Sequence, residues 1–131
     1  MQRRHTRQKQ IIQSIIEGPG KHMTAEEVAA VLKETEPGIG MATVYRNLNQ
    51  LCEEGMIQKL ILNHVHVYDG NPNPHDHFVC IRCGRIIDLD CVDQKLIRKT
   101  EMDLDIRILR SFTVCEGICR KCGTEEEKQW N

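Results

Sequence analysis

Residues 42–69 read ATVYRNLNQLCEEGMIQKLILNHVHVYD, and the period of their apolar residues changes partway along. Up to residue 54, Val44, Leu48, Leu51 and Cys52 recur at helical spacing and form one stripe, with Gly55 closing the segment. From residue 56 onward, MIQKLIL and VHVYD are rich in β-branched and aromatic residues. Asn63-His64 separates them as a two-residue turn, which predicts a hairpin. A helix that leads straight into a hairpin suggests the second half of a winged helix-turn-helix, so the residues on either side decide the fold.

Upstream, TRQKQIIQSIIE at 6–17 places Ile11, Ile12, Ile15 and Ile16 on one helical face, and Gly18-Pro19-Gly20 ends the run. Thr24 then precedes AEEVAAVLKE with Glu27 three residues on, the pattern of a capping box. Pro37-Gly38-Ile39-Gly40 separates this helix from the next. Three helices followed by a hairpin predict a winged helix-turn-helix, with the third helix in the DNA major groove and the hairpin along the backbone. On that helix Thr43, Tyr45, Arg46 and Asn49 face away from the apolar stripe. Arg46 is the candidate for a guanine or phosphate contact, and Tyr45 for the backbone or a thymine methyl; the alternative is ordinary helix surface.

Downstream, GNPNP at 70–74 breaks both periods and reads as a hinge. FVCIRCGRIIDLD predicts strand, turn and strand, residues 92–104 a helix, and IRILRSFTVCEGIC a returning strand. This is a small α/β module with few core residues, whose strand edges a second subunit would cover. The expected organisation is therefore α+β: a winged-helix DNA-binding domain over 1–69, a hinge over 70–74, and a dimerisation and metal-binding domain over 75–131.

Length and charge limit the alternatives. With 131 residues the chain makes one ordinary domain or two small ones, and modules of that size often need a metal or a partner. Eighteen basic and nineteen acidic residues give a net charge of −1, so no global field favours nucleic acid. A local patch has to carry that role. Arg3, Arg4, Arg7 and Lys9 precede the first acid, Glu17, although such a run is equally the mark of a solvated face. No apolar run approaches the roughly 18 residues of a membrane span, and the polar N-terminus is unlike a signal peptide. A cytoplasmic location is expected, and there seven cysteines point to metal rather than to a disulfide framework.

Cys80-Ile-Arg-Cys83-Gly and Cys119-Arg-Lys-Cys122-Gly are matching knuckles. Each directs two thiolates at one ion while the following glycine lets the chain turn, so together they predict a tetrahedral Cys₄ zinc site that staples the C-terminal module. The 84–118 segment must then fold back to bring the pairs together. A redox C-x-x-C would need only one pair. Cys52 reads as core, and Cys91 and Cys115, with no partner spacing, as small buried or half-buried residues.

His75 and His77 stand two apart in an extended segment and leave it on the same side. Asp88 on the following strand could meet them, and Asp69 precedes the hinge. Imidazole and carboxylate without thiolate suit Fe(II), Mn(II) or Zn(II), while solvated polar residues are the competing reading. His64 and His66 are expected to be exposed residues of the hairpin.

The series HTRQKQIIQSII, HMTAEEV, ATVYRNLNQLCEEGMI, HDHFVCIRCGRIIDLD and CEGICRKC resembles, in order and spacing, the ferric uptake regulator family of bacterial metal-dependent repressors. The resemblance implies a homodimer that binds double-stranded operator DNA, structural zinc on Cys80, Cys83, Cys119 and Cys122, and a regulatory Fe(II) or Mn(II) on His22, Asp69, His75, His77 and Asp88. The iron-sensing branch generally has glutamates where Asp69 and Asp88 stand, whereas the peroxide-sensing branch has aspartates and oxidises a ligand histidine, here His22 or His75. The likeness is therefore closer to the peroxide sensors, with an iron- or manganese-availability sensor as the alternative. The zinc-sensing branch usually adds a regulatory cysteine, and none lies near the hinge. Pro74 and Lys95 replace the ligands of a further site found in some members, so one regulatory site per subunit is expected. The flanking N-terminal helix of many members is not expected, with Arg3, Arg4 and Arg7 supplying its phosphate contacts instead.

Two readings from other classes compete. A metalloenzyme would need a motif such as H-E-x-x-H or a paired general acid and base, and the sequence has neither. A zinc-stapled protein-interaction module would require that the helices and hairpin not bind DNA.

Overall fold

The computed structural model describes the backbone of residues 2–123 and the side chains of 6–123. The chain divides into two compact units, 1–73 and 74–131.

The first unit contains α1 (Gln2–Ile16), β1 (His22–Met23), α2 (Ala25–Thr35), α3 (Met41–Glu53), β2 (Gln58–Leu62) and β3 (Val65–Asp69). The capping box is formed: Thr24 Oγ1 accepts from the Glu27 amide, and the Glu27 carboxylate accepts from the Thr24 amide. Ile12 and Ile16 of α1, Val28 and Leu32 of α2, and Val44, Leu48 and Leu51 of α3 close on one another with Ile57 and Tyr68. Cys52 packs against this core as expected, and burial pushes its thiol up. The β2–β3 turn has φ of +50° at Asn63 and +66° at His64. Both central residues are thus left-handed, the geometry that matches the twist of a two-residue hairpin.

One strand was not expected. His22–Met23 forms β1, which pairs antiparallel with β3 and extends the hairpin into a sheet of order β1-β3-β2. Gly70, directly after β3, lies so close to the end of α1 that a Cβ there would stand 2.1 Å from the Ile16 carbonyl oxygen and 2.6 Å from that of Gly18. Backbone cannot yield as a side chain can. Gly70→Ala is therefore expected to cost about 1–3 kcal/mol, read as a lower urea midpoint for the first unit; an unchanged midpoint would show that the approach is not tight.

The second unit contains β4 (Asp76–Cys80), β5 (Ile86–Leu89), α4 (Gln94–Leu104), β6 (Val114–Gly117) and the single turn α5 (Arg120–Gly123). The sheet order is β5-β4-β6, with β4 antiparallel to β5 and parallel to β6. The parallel pair requires a crossover, which α4 supplies. Asp93 caps α4 by accepting from the Lys95 and Leu96 amides. The returning strand is shorter than predicted: residues 106–113 form no strand, and the ladder is confined to 114–117. α4 buries none of its residues within the chain and exposes Leu96, Met102 and Leu104. No helix among the described residues is long and apolar enough to cross a membrane.

Candidate metal centres and candidate DNA-binding helix

Parallel pairing of β4 and β6 brings the knuckles together. The register sets Cys80 beside Gly117, so Cys80-x-x-Cys83 and Cys119-x-x-Cys122 leave the same end of the sheet. The four Sγ atoms lie within 4.8 Å of one another, and Cys83 Sγ is 3.7 Å from Cys119 Sγ. Gly84 turns the first knuckle at φ +79°, and its amide donates to the Cys80 carbonyl. The second knuckle turns differently: Gly123 has no positive φ and completes α5 by donating to the Cys119 carbonyl. The expected role of glycine therefore holds for one knuckle only.

The thiols differ in their readiness to ionise. Amides of Cys83 and Cys119 directed at Cys80 lower its thiol to about 6, and the Cys122 amide lowers Cys119. Burial, reinforced by the neighbouring sulfurs, pushes Cys122 up to about 12. Backbone donors thus stabilise negative sulfur at two positions, and a dication is what would let all four ionise together. Four converging thiolate donors fit zinc.

The histidines and aspartates are held in strand registers. In the first unit His22 of β1 is the direct partner of Asp69 on β3, with Nε2 3.3 Å from Oδ2 and both side chains buried. The other Asp69 oxygen accepts from the Asn71 amide at 2.8 Å, which fixes the carboxylate. In the second unit His77 of β4 is the partner of Asp88 on β5. His75 Nε2 and His77 Nε2 both approach Asp88 Oδ1, at 3.2 and 3.6 Å, with ring centroids 4.2 Å apart. Two imidazole nitrogens and a carboxylate oxygen that converge in this way fit an Fe(II)- or Mn(II)-type donor set.

On α3, Val44, Asn47, Leu48 and Leu51 are buried. Tyr45, Arg46 and Asn49 are exposed and Thr43 half-buried. Two of these residues have internal partners that sequence reasoning missed: the Tyr45 hydroxyl donates to Glu26 Oε1 at 2.8 Å, and Asn49 Oδ1 accepts from the Tyr68 hydroxyl at 3.0 Å. Arg7 is paired with Glu36 at 3.1 Å, and the side chains of Arg3 and Arg4 lie outside the described residues. His64 and His66 are exposed.

Comparison with known proteins agrees with this geometry. The model of the ferric uptake regulator family matches residues 1–110. The ferric uptake regulation protein of Bacillus subtilis is 32% identical over 124 residues, covering 88% of this chain and 81% of that protein. The peroxide-responsive repressor PerR of Staphylococcus epidermidis is 30% identical over 128 residues, covering 93% and 83%. Among solved structures, the Campylobacter jejuni peroxide stress regulator superposes with a TM-score of 0.71 at 31% identity, covering 91% of each chain. With a family match across both units, the chain belongs to the ferric uptake regulator family and is a metal-responsive transcriptional regulator rather than an enzyme.

Proposed function

We propose that the protein is a dimeric, cytoplasmic repressor that binds operator DNA when Fe(II) or Mn(II) is bound and releases it when peroxide oxidises His22 or His75. The observation that carries this reading is the short-armed donor set, in which Asp69 and Asp88 each meet histidine Nε2 atoms. Two donors in the first unit and three in the second would each leave positions of a five- or six-coordinate ion to water. Residues 70–74 are all that separate Asp69 from His75 in sequence. One ion bound by His22, Asp69, His75, His77 and Asp88 would use every donor and tie the two units together.

Fe(II), held by these residues, would supply the electrons for reductive cleavage of a peroxide O–O bond. His22 and His75 supply the oxidisable rings, His77 and Asp88 hold the second unit's part of the site on paired strands, and Asp69 holds the first. An oxygen atom on His22 or His75 weakens that ring as a donor, and the DNA-binding geometry is no longer favoured. A second copy of the chain covers Leu96, Met102 and Leu104 of α4, which are exposed among the described residues.

Intact mass and peptide mapping after Fe(II) loading and dilute peroxide test the reading. A gain of about 16 Da, one oxygen atom, on His22 or His75 together with loss of operator binding is expected. DNA binding that follows metal concentration without histidine oxidation would make the protein a metal-availability sensor instead. On α3, Arg46 has no helix-capping or core role to explain it, so Arg46→Ala should relax specificity at one operator position by about 1–3 kcal/mol. A uniform loss across all DNA sequences, with a shallower salt dependence, would assign Arg46 to phosphate.

A further inference from the structure

Cys91 and Cys115 belong to neither metal centre. Both were expected to be buried or half-buried, and both are exposed. Although far apart in sequence, they meet through the sheet of the second unit. The register pairs Asp76 with Leu89 and Phe78 with Cys115, so Asp76, Leu89 and Cys115 share the face opposite His77 and Asp88. Cys91 follows two residues beyond Leu89, past the end of β5.

The Asp76 carboxylate clips the two segments together. Its Oδ2 accepts from the Cys91 and Val92 amides at 2.8 and 3.0 Å, and its Oδ1 from the Thr113 amide at 2.7 Å. The Cys91 thiol lies near enough to the Asp76 carboxylate and the Cys115 thiol for both to raise it.

We propose that Cys91 and Cys115 are a second oxidation-sensing site, a thiol pair that a peroxide converts to an intrachain disulfide. Desolvation and then the Asp76 carboxylate push the Cys91 thiol up, which suits Cys91 to the second step, with Cys115 as the thiol that meets the peroxide. The Cys115 sulfur forms a bond to one peroxide oxygen, the O–O bond breaks, and the other oxygen leaves as alcohol or water after taking up a proton. Cys91 then attacks the resulting sulfenic acid: the S–S bond forms, the S–O bond breaks, and water leaves. The two sulfurs supply the two electrons that reduce one peroxide. An exposed bond of this kind in a reducing compartment is readily reversed by cellular thiols, which suits a sensor rather than a staple.

The test uses the zinc-loaded full chain with iron excluded, so that histidine oxidation does not contribute. After hydrogen peroxide treatment and alkylation, trypsin can cut between the two cysteines at Lys95, Arg98, Lys99, Arg107 and Arg110. The expected product is a peptide pair joined through Cys91 and Cys115, about 2 Da lighter than the sum of its parts, separated again by dithiothreitol, with zinc content unchanged. In Cys91→Ser, dimedone should label Cys115. Absence of the linked pair, a Cys115 bond between two chains, or linkage through the zinc cysteines with loss of zinc would each overturn the proposal.

Discussion

Cys119→Ser is expected to abolish zinc retention and the cooperative unfolding of the second unit, while the first unit still melts as a folded domain. The reason is the distribution of apolar burial. The first unit closes a continuous core from Ile12 to Tyr68, whereas in the second only Val79, Cys80 and Cys119 are buried hydrophobics among the described residues. Burial on that scale, at about 25 cal/mol per Å² of apolar surface, cannot offset the entropy of ordering some fifty residues at about 1–2 kcal/mol each. A structural zinc site supplies roughly 10–16 kcal/mol in zinc-finger peptides, a magnitude that decides whether such a unit folds. Cys119 is an informative position because its amide donates to Cys80 Sγ at 3.3 Å and its sulfur faces Cys83, so it links the knuckles. Zinc content, circular dichroism melting and hydrogen exchange read the outcome. A variant that still holds one zinc per chain and protects the β4 and β6 amides would mean that the sheet folds without the staple.

The same distribution explains what the sequence made legible. In the first unit the signals were local and strong: the Thr24 and Glu27 capping box, the Val44, Leu48 and Leu51 stripe, and the Asn63-His64 turn each fall where expected. β1 was missed because two residues have no period; only its pairing with β3 makes it a strand. In the second unit, Ile106, Ile108 and the residues that follow alternate in polarity like a strand, yet among the described residues no strand pairs with 106–112. Pairing, not pattern, decided that segment.

The metal residues divide in the same way. The four cysteines and the pair His75 and His77 carried their own spacing, whereas His22 and Asp69 stand far apart in sequence and meet only across the β1–β3 register. Residue pattern alone could not have joined them; the family resemblance did. Cys91, Cys115 and Asp76 had no motif at all, since the place where they meet is created by a parallel crossover.

His22→Ala is expected to leave zinc, dimer and the basal affinity for DNA intact and to remove the gain that Fe(II) or Mn(II) confers. If one ion uses all five donors, the first unit is left with Asp69 alone, and the ion can no longer hold the two units in the geometry that suits DNA. Loss even of a residue that orients a ligand typically weakens metal affinity by about 10–100-fold, so loss of a ligand itself should do at least as much. Because the coupling is reciprocal, DNA should tighten metal binding in the parent protein and cease to do so in the variant. Asp69 is buried beside His22, so truncation also leaves a buried carboxylate with one partner fewer, a penalty of about 1–3 kcal/mol. A small fall in the first unit's stability is therefore expected, and His22→Gln, which can still donate a hydrogen bond, should recover that stability without recovering the metal response. DNA affinity titrated with and without Mn(II) separates the two effects. Undiminished stimulation in both variants would show that His75, His77 and Asp88 sense the metal without the first unit, and the shared-ion mechanism would be wrong.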